Sequence, residues 1–124
     1  MQAGLQPTQI GYINAHATAT PVGDAAEIAA VKSLFGNGIA QLAMSSTKSA
    51  IGHLLGAAGA LEAIYSLLAI RSGLLPPTRN LDQVDPACDG IDLVPHVAKE
   101  KAVSYAMSNA FGFGGVNAAL ILGR

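Results

Sequence analysis

Lys48 and His53 stand in the stretch Ser45-Ser46-Thr47-Lys48-Ser49-Ala50-Ile51-Gly52-His53-Leu54-Leu55-Gly56-Ala57-Ala58-Gly59, which is otherwise mostly small and aliphatic. A cation in apolar sequence is costly unless something pairs it or uses it, so this stretch is a candidate polar site at the mouth of a core helix. A second imidazole, His16, follows the apolar segment Ile10–Ala15, and Thr18 and Thr20 place two hydroxyls on alternate residues just beyond it. In extended backbone those hydroxyls point the same way. A third polar connection, Asn109 to Gly115, holds Phe111, Phe113 and three glycines, a composition suited to backbone that approaches something closely and to rings that swing.

Each residue also has a plainer reading. A lone His16 or His53 at a strand end often serves the backbone, and His96, between Pro95 and Val97, reads as an exposed loop residue. Asp24 followed by Glu27 has the spacing of a helix N-cap with its reciprocal acidic partner. Gly52, Gly56 and Gly59 are not followed by the Gly-Lys-Ser/Thr of a phosphate loop. The three histidines match no compact zinc spacing, and Cys88 falls in a different loop, so no metal site is expected.

The elements that must position these groups follow from pattern. Ile10–Ala15 reads as a short strand, 17–23 as a loop broken by Pro21 and Gly23, and Asp24 to Phe35 as a helix stopped by Gly36-Asn37-Gly38. Leu42–Ser46 is a second strand, and Leu54 to Ile70, with Glu62 its only charge, reads as a helix apolar on nearly every side. The unit strand, loop, helix is thus written twice, with His16 and the Lys48/His53 pair just past strand ends. Sites in open α/β sheets gather at such ends, so the two are candidates to converge. Pro76-Pro77 closes the helical region, Asp82–Asp92 is turn-rich, Ile91–Val94 reads as an edge strand, and 103–108 and 116–122 as two final strands.

Hydrophobic residues are 51% of the 124 and charged residues 12%, against a usual charged share of about a quarter. A short chain of that composition exposes apolar surface, which points to a part of a larger body or to a membrane. The apolar helix is too short for a span and carries Glu62 near its middle, which disfavours the membrane. The net charge of −1 with scattered basic residues argues against nucleic acid as a partner. One cysteine and no basic, apolar leader imply a reducing compartment: the cytoplasm, or a mitochondrial or plastid matrix.

Asn14-Ala15-His16-Ala17-Thr18-Ala19-Thr20-Pro21-Val22-Gly23-Asp24, the Ser45–Gly59 stretch and Ser108-Asn109-Ala110-Phe111-Gly112-Phe113-Gly114-Gly115-Val116-Asn117 together resemble the β-ketoacyl-acyl-carrier-protein synthases of types I and II. The resemblance implies the C-terminal part of a thiolase-like layered α-β-α-β-α fold, an α/β architecture with a mixed sheet and a buried Gly/Ala-rich helix, here as one segment over 1–124. It implies a decarboxylative condensation in which an enolate from malonyl-carrier attacks an acyl-enzyme thioester. His16 and His53 match the donors to the malonyl thioester oxygen, and Lys48 the cation that keeps those imidazoles neutral. Phe113 matches the backbone N–H of the acyl-enzyme oxyanion hole and Phe111 its neighbour in the gate loop. Thr18 and Thr20 match the hydroxyls that bind pantetheine. Glu27 matches the acidic partner near the lysine, with Asp24 supporting.

No cofactor is implied, although Asn14, Glu62, Ser108 and Asn117 resemble positions near a bound monovalent cation in some members. The implied partners are acyl carrier protein with phosphopantetheine-linked acyl and malonyl groups, the family's N-terminal half and, in the complete enzyme, a second copy. The family's nucleophilic cysteine belongs to that N-terminal half, Cys88 lies in the wrong motif to replace it, and the segment alone is expected to be inactive. The competing readings are a polyketide ketosynthase segment and a non-catalytic half that binds a partner or acyl-pantetheine.

Overall fold

The computed structural model describes residues 3–124. Strand β1 (Tyr12–Asn14) lies between β2 (Ala43–Ser45) and β5 (Tyr105–Phe111), parallel to both, and β6 (Asn117–Gly123) returns antiparallel to β5. The four form one mixed sheet in the order β2-β1-β5-β6, and β3 (Leu74–Leu75) pairs with β4 (Lys99–Glu100) in a separate ribbon. The parallel strands β1 and β2 are covered on both faces, which is why they are buried at every position.

Alternation along the strands sorts the core into two layers. Ile13, Met44 and Met107 face helix α1 (Pro21–Phe35) and pack with Ile28, Val31 and Phe35. Tyr12, Ala43 and Ala106 face the opposite way and pack with Ala69 and Ile70 of α3 (Ala58–Ser72). The result is helix, sheet, helix.

Several boundaries move from those expected, each for a local reason. Helix α1 begins at Pro21, not Asp24, because proline's fixed φ and missing N–H suit the first helical position, and Thr20 takes the cap. Asp24 therefore lies inside the first turn, and the capping pair of Asp24 and Glu27 is not formed. The helix expected from Leu54 starts later. A single turn, α2 (Lys48–Ile51), ends at Gly52 with φ 79°, Leu55 follows at φ 52°, and α3 begins only at Ala58. Ile91–Val94 makes one parallel bridge, Asp92 to Ala43, and positive φ at Val94 ends the pairing. The last connection is shorter than expected, since Asn109, Ala110 and Phe111 belong to β5 and only 112–116 link it to β6.

Candidate functional site

His16 stands two residues past the end of β1. Its backbone N–H donates to Glu27 Oε1 at 3.0 Å, and that of Ala17 donates to Glu27 Oε2 at 2.9 Å. Ser46, just beyond β2, donates its hydroxyl to the Ala17 carbonyl at 2.9 Å. The loop that carries His16 is thus clamped by α1 on one side and by the end of β2 on the other. The His16 imidazole is half-buried, and burial first and the Lys48 charge second hold its pKa below the usual value, so the ring is neutral near pH 7. Its Nδ1 is buried and meets no hydrogen-bond partner among the described residues.

Lys48 opens α2, and its ammonium is buried against Glu62 Oε1 from α3. Their side chains are 5% and 2% exposed, so each is the other's main compensation for leaving water. Glu62, and not Glu27, is the acidic partner of the lysine. Glu27 is committed instead to the His16 and Ala17 amides and to Asn109. The Glu62 carboxyl is nevertheless pushed up from its usual pKa, because burial outweighs the opposing Lys48 hydrogen bond and charge.

His53 sits in the exposed turn between α2 and α3. The Leu55 backbone N–H donates to its Nδ1 at 3.1 Å, which fixes the proton of the neutral ring on Nε2. The two imidazoles meet edge to face, with centroids 5.7 Å apart and planes at 89°, and the Phe111 ring centroid lies 5.4 Å from that of His16. His16, Thr18, Thr20, His53, Phe111 and Phe113 all border one open cleft of about 810 Å³, with Gly59 and Glu62 in its wall. Two preorganised ring N–H groups at such a cleft can stabilise negative charge on an oxygen bound between them.

The remaining site residues distribute as follows. Thr18 and Thr20 both reach the cleft, although not by extended alternation, since Ala19 between them has φ 63°. The Phe113 side chain is fully exposed, and Gly114 and Gly115 after it have φ of 77° and 81°. Asp24 borders a separate cavity of about 380 Å³ on the α1 side of the sheet. Cys88 lies there too, away from the histidines, and burial pushes its thiol pKa up, the opposite of an activated nucleophile. His96 is exposed, its Nε2 3.8 Å from Asp82.

Of the four positions expected near a cation, Asn14, Glu62 and Ser108 lie together and Asn117 stands apart. Asn14 donates to the Glu62 carbonyl and accepts from the Thr47 hydroxyl, while Ser66 also donates to that carbonyl, so these oxygens are engaged with one another. Ser108 is paired in register with Asn14, but Asn117 is exposed opposite Phe111, three residues further along β5. Among the described residues no group of three His, Cys, Asp or Glu side chains is arranged to hold a metal ion, and no helix is long and apolar enough to cross a membrane.

Two functional contacts escaped the sequence reading. The Lys48–Glu62 pair had a signal, a single cation and a single anion in one long apolar stretch. The Asn109 contact with Glu27 joins residues 82 apart in the chain and had none.

Known proteins resemble this arrangement closely. The family model described as "Beta-ketoacyl synthase, C-terminal domain" matches residues 1–82. The chain is 56% identical over 124 residues to 3-oxoacyl-[acyl-carrier-protein] synthase 2 of Rhizobium meliloti, covering 99% of this chain and 29% of that protein. It superposes on a β-ketoacyl synthase from Burkholderia phymatum with a TM-score of 0.91 and 43% identity, over 98% of this chain and 29% of that one. It also superposes on a type II PKS ketosynthase solved in complex with its acyl-carrier protein, with a TM-score of 0.92 and 30% identity, again over 98% and 29%. The chain therefore spans about 29% of the length of the curated relatives it matches.

Proposed function

This chain belongs to the β-ketoacyl synthase family, matching its C-terminal domain, and from that premise we propose that it supplies the decarboxylation half of a 3-oxoacyl-[acyl-carrier-protein] synthase active site. The reaction is the elongation of a fatty acyl chain. The bond from the malonyl α-carbon to its carboxylate breaks, CO₂ leaves, and the electron pair passes to the thioester oxygen as an enolate. The enolate carbon then attacks the acyl-enzyme thioester and expels the cysteine thiolate. That cysteine is contributed from outside these 124 residues, since Cys88 borders the separate cavity and not the cleft, in a setting that raises its pKa.

The observation that carries the reading is the edge-to-face His16–His53 pair at the cleft, with the His53 proton placed on Nε2 by the Leu55 amide. Each ring N–H would hold the enolate oxygen, a contact worth about 3 kcal/mol of barrier per donor. Thr18 and Thr20 at the same cleft suit a pantetheine arm, and Phe111 and Phe113 suit a gate over it. The carrier substrate is acyl carrier protein, the partner named for the related PKS ketosynthase, and pairing of the complete enzyme with a second copy rests on the family resemblance alone.

The test is malonyl-carrier decarboxylation by the complete synthase containing this segment. His16→Ala and His53→Ala are each expected to lower kcat about 100-fold. Full decarboxylation without both histidines would remove the assignment. Identity of 56% to a fatty acid condensing enzyme, against 30% to the PKS ketosynthase, favours the fatty acid pathway over polyketide assembly.

A further inference from the structure

We propose that Asn109 is a positioning residue for His16, acting through the Glu27 carboxylate; the inference rests on the catalytic reading of His16 given above. Asn109 lies near the end of β5 and is 4% exposed, and its Nδ2 donates to Glu27 Oε1 at 2.9 Å. Against a carboxylate only the amide nitrogen can be the contacting atom, because an ionised carboxylate solely accepts. Glu27 is itself buried, and its two oxygens take the backbone N–H groups of His16 and Ala17. A glutamate side chain has three rotatable bonds, so the two loop amides alone leave it free to shift with the loop. The bond from Asn109 ties it to the sheet.

The location gives this bond its purpose. Asn109 and Phe111 are two apart on one strand and share a face, so β5 meets His16 twice: through the carboxylate at its backbone and through Phe111 at its ring. Immediately after Phe111 the chain enters the glycine-rich 112–116 connection, where Gly114 and Gly115 hold positive φ. Asn109 is thus the last buried side chain of β5 before that connection. Its bond holds Glu27, and through it the backbone of His16, independently of the connection. A displacement of about 1 Å at a catalytic group can cost about 100-fold in rate, which makes such an anchor consequential.

The experiment uses the complete synthase and reads hydrogen exchange at the His16 and Ala17 amides together with kcat and KM for malonyl-carrier decarboxylation. Asn109→Ala is expected to speed exchange at both amides about tenfold or more and to lower kcat about tenfold or more, with KM unchanged. Asn109→Asp opposes two carboxylates and is expected to lose more. Unchanged exchange at His16 in a folded Asn109→Ala protein overturns the proposal, as does an Asn109→Asp protein with unchanged exchange and kcat. Should Asn109→Ala fail to fold, Asn109→Asp decides in the same way. His16→Ala run alongside separates the two claims: full activity there defeats the catalytic reading, whereas loss of activity there with no effect of Asn109→Ala defeats only the role of Asn109.

Discussion

At the scale of single residues, burial decides what Lys48 and Glu62 can do. Both side chains are out of water, Glu62 Oε2 has no partner among the described residues, and the Lys48 ammonium is the only opposite charge bound to the carboxylate there. Removing one member strands the other, so Lys48→Ala is expected to destabilise the protein by about 3–5 kcal/mol in denaturant unfolding near neutral pH. The deficit has a direction with pH. Glu62 has a folded-state pKa above its ordinary value of 4.5, so its contribution is fully present below 4.5 and is lost as pH rises through the folded pKa. Without Lys48 that folded pKa climbs further, and the deficit should be largest near neutrality and shrink as acid protonates the carboxyl. A deficit that stays constant or grows toward acid would mean that the pair is not what Lys48 contributes. The sequence marks both residues as anomalies in apolar surroundings, yet spacing within a broken helix does not reveal that they touch. Glu27 shows the limit in the other direction: its distance from Asp24 suits a cap, but two backbone amides and Asn109, brought in by the tertiary fold, compete for its carboxylate and win.

At the scale of elements, α3 sets the cleft wall by lying close on β5. A Cβ built at Gly59 would sit 3.8 Å from the Ala110 Cβ, an ordinary contact that branching at Cβ would tighten. Gly59→Ala is therefore expected to be tolerated, with the loss of backbone freedom in the unfolded chain favouring it slightly. Gly59→Val should lift the start of α3 from β5 and cost about 1–3 kcal/mol, read as a lower thermal midpoint. Equal midpoints for the two variants would contradict this packing. The elements themselves were largely legible: both strand–loop–helix units, the helix through Val31 and Phe35 and the final strand pair appear where periodicity puts them. What periodicity could not show was where α3 begins, because Leu55 adopts positive φ in a stretch whose composition favours unbroken helix. Nor could it show that β5 runs through Phe111, because Asn109 and Ala110 read as loop until the antiparallel partner β6 is in place.

At the scale of the whole molecule, the apolar excess in the composition becomes a particular surface. Helix α3 covers the sheet with one side, where Glu62, Ser66, Ala69 and Ile70 are buried, and leaves Ile64, Leu67 and Leu68 exposed on the other. Spacings of three and four residues put those three side chains together, and Leu55 and Leu74, also exposed, lie near the two ends of the helix. A helix apolar all round is normally buried on both sides, and relatives more than three times as long hold the material to do so. The 124-residue chain by itself is therefore expected to self-associate and to bind a hydrophobic dye, measured by sedimentation and fluorescence. The double substitution Leu67→Lys with Leu68→Lys should relieve association while leaving the circular dichroism spectrum intact, since neither residue belongs to the core. The same substitution placed in the complete synthase should do the reverse and destabilise it, because there the charges would enter a covered interface. A chain that stays monomeric without dye binding, or a complete synthase indifferent to the two lysines, would mean that the outer face of α3 meets solvent in the whole protein and that the charge-poor composition has another cause.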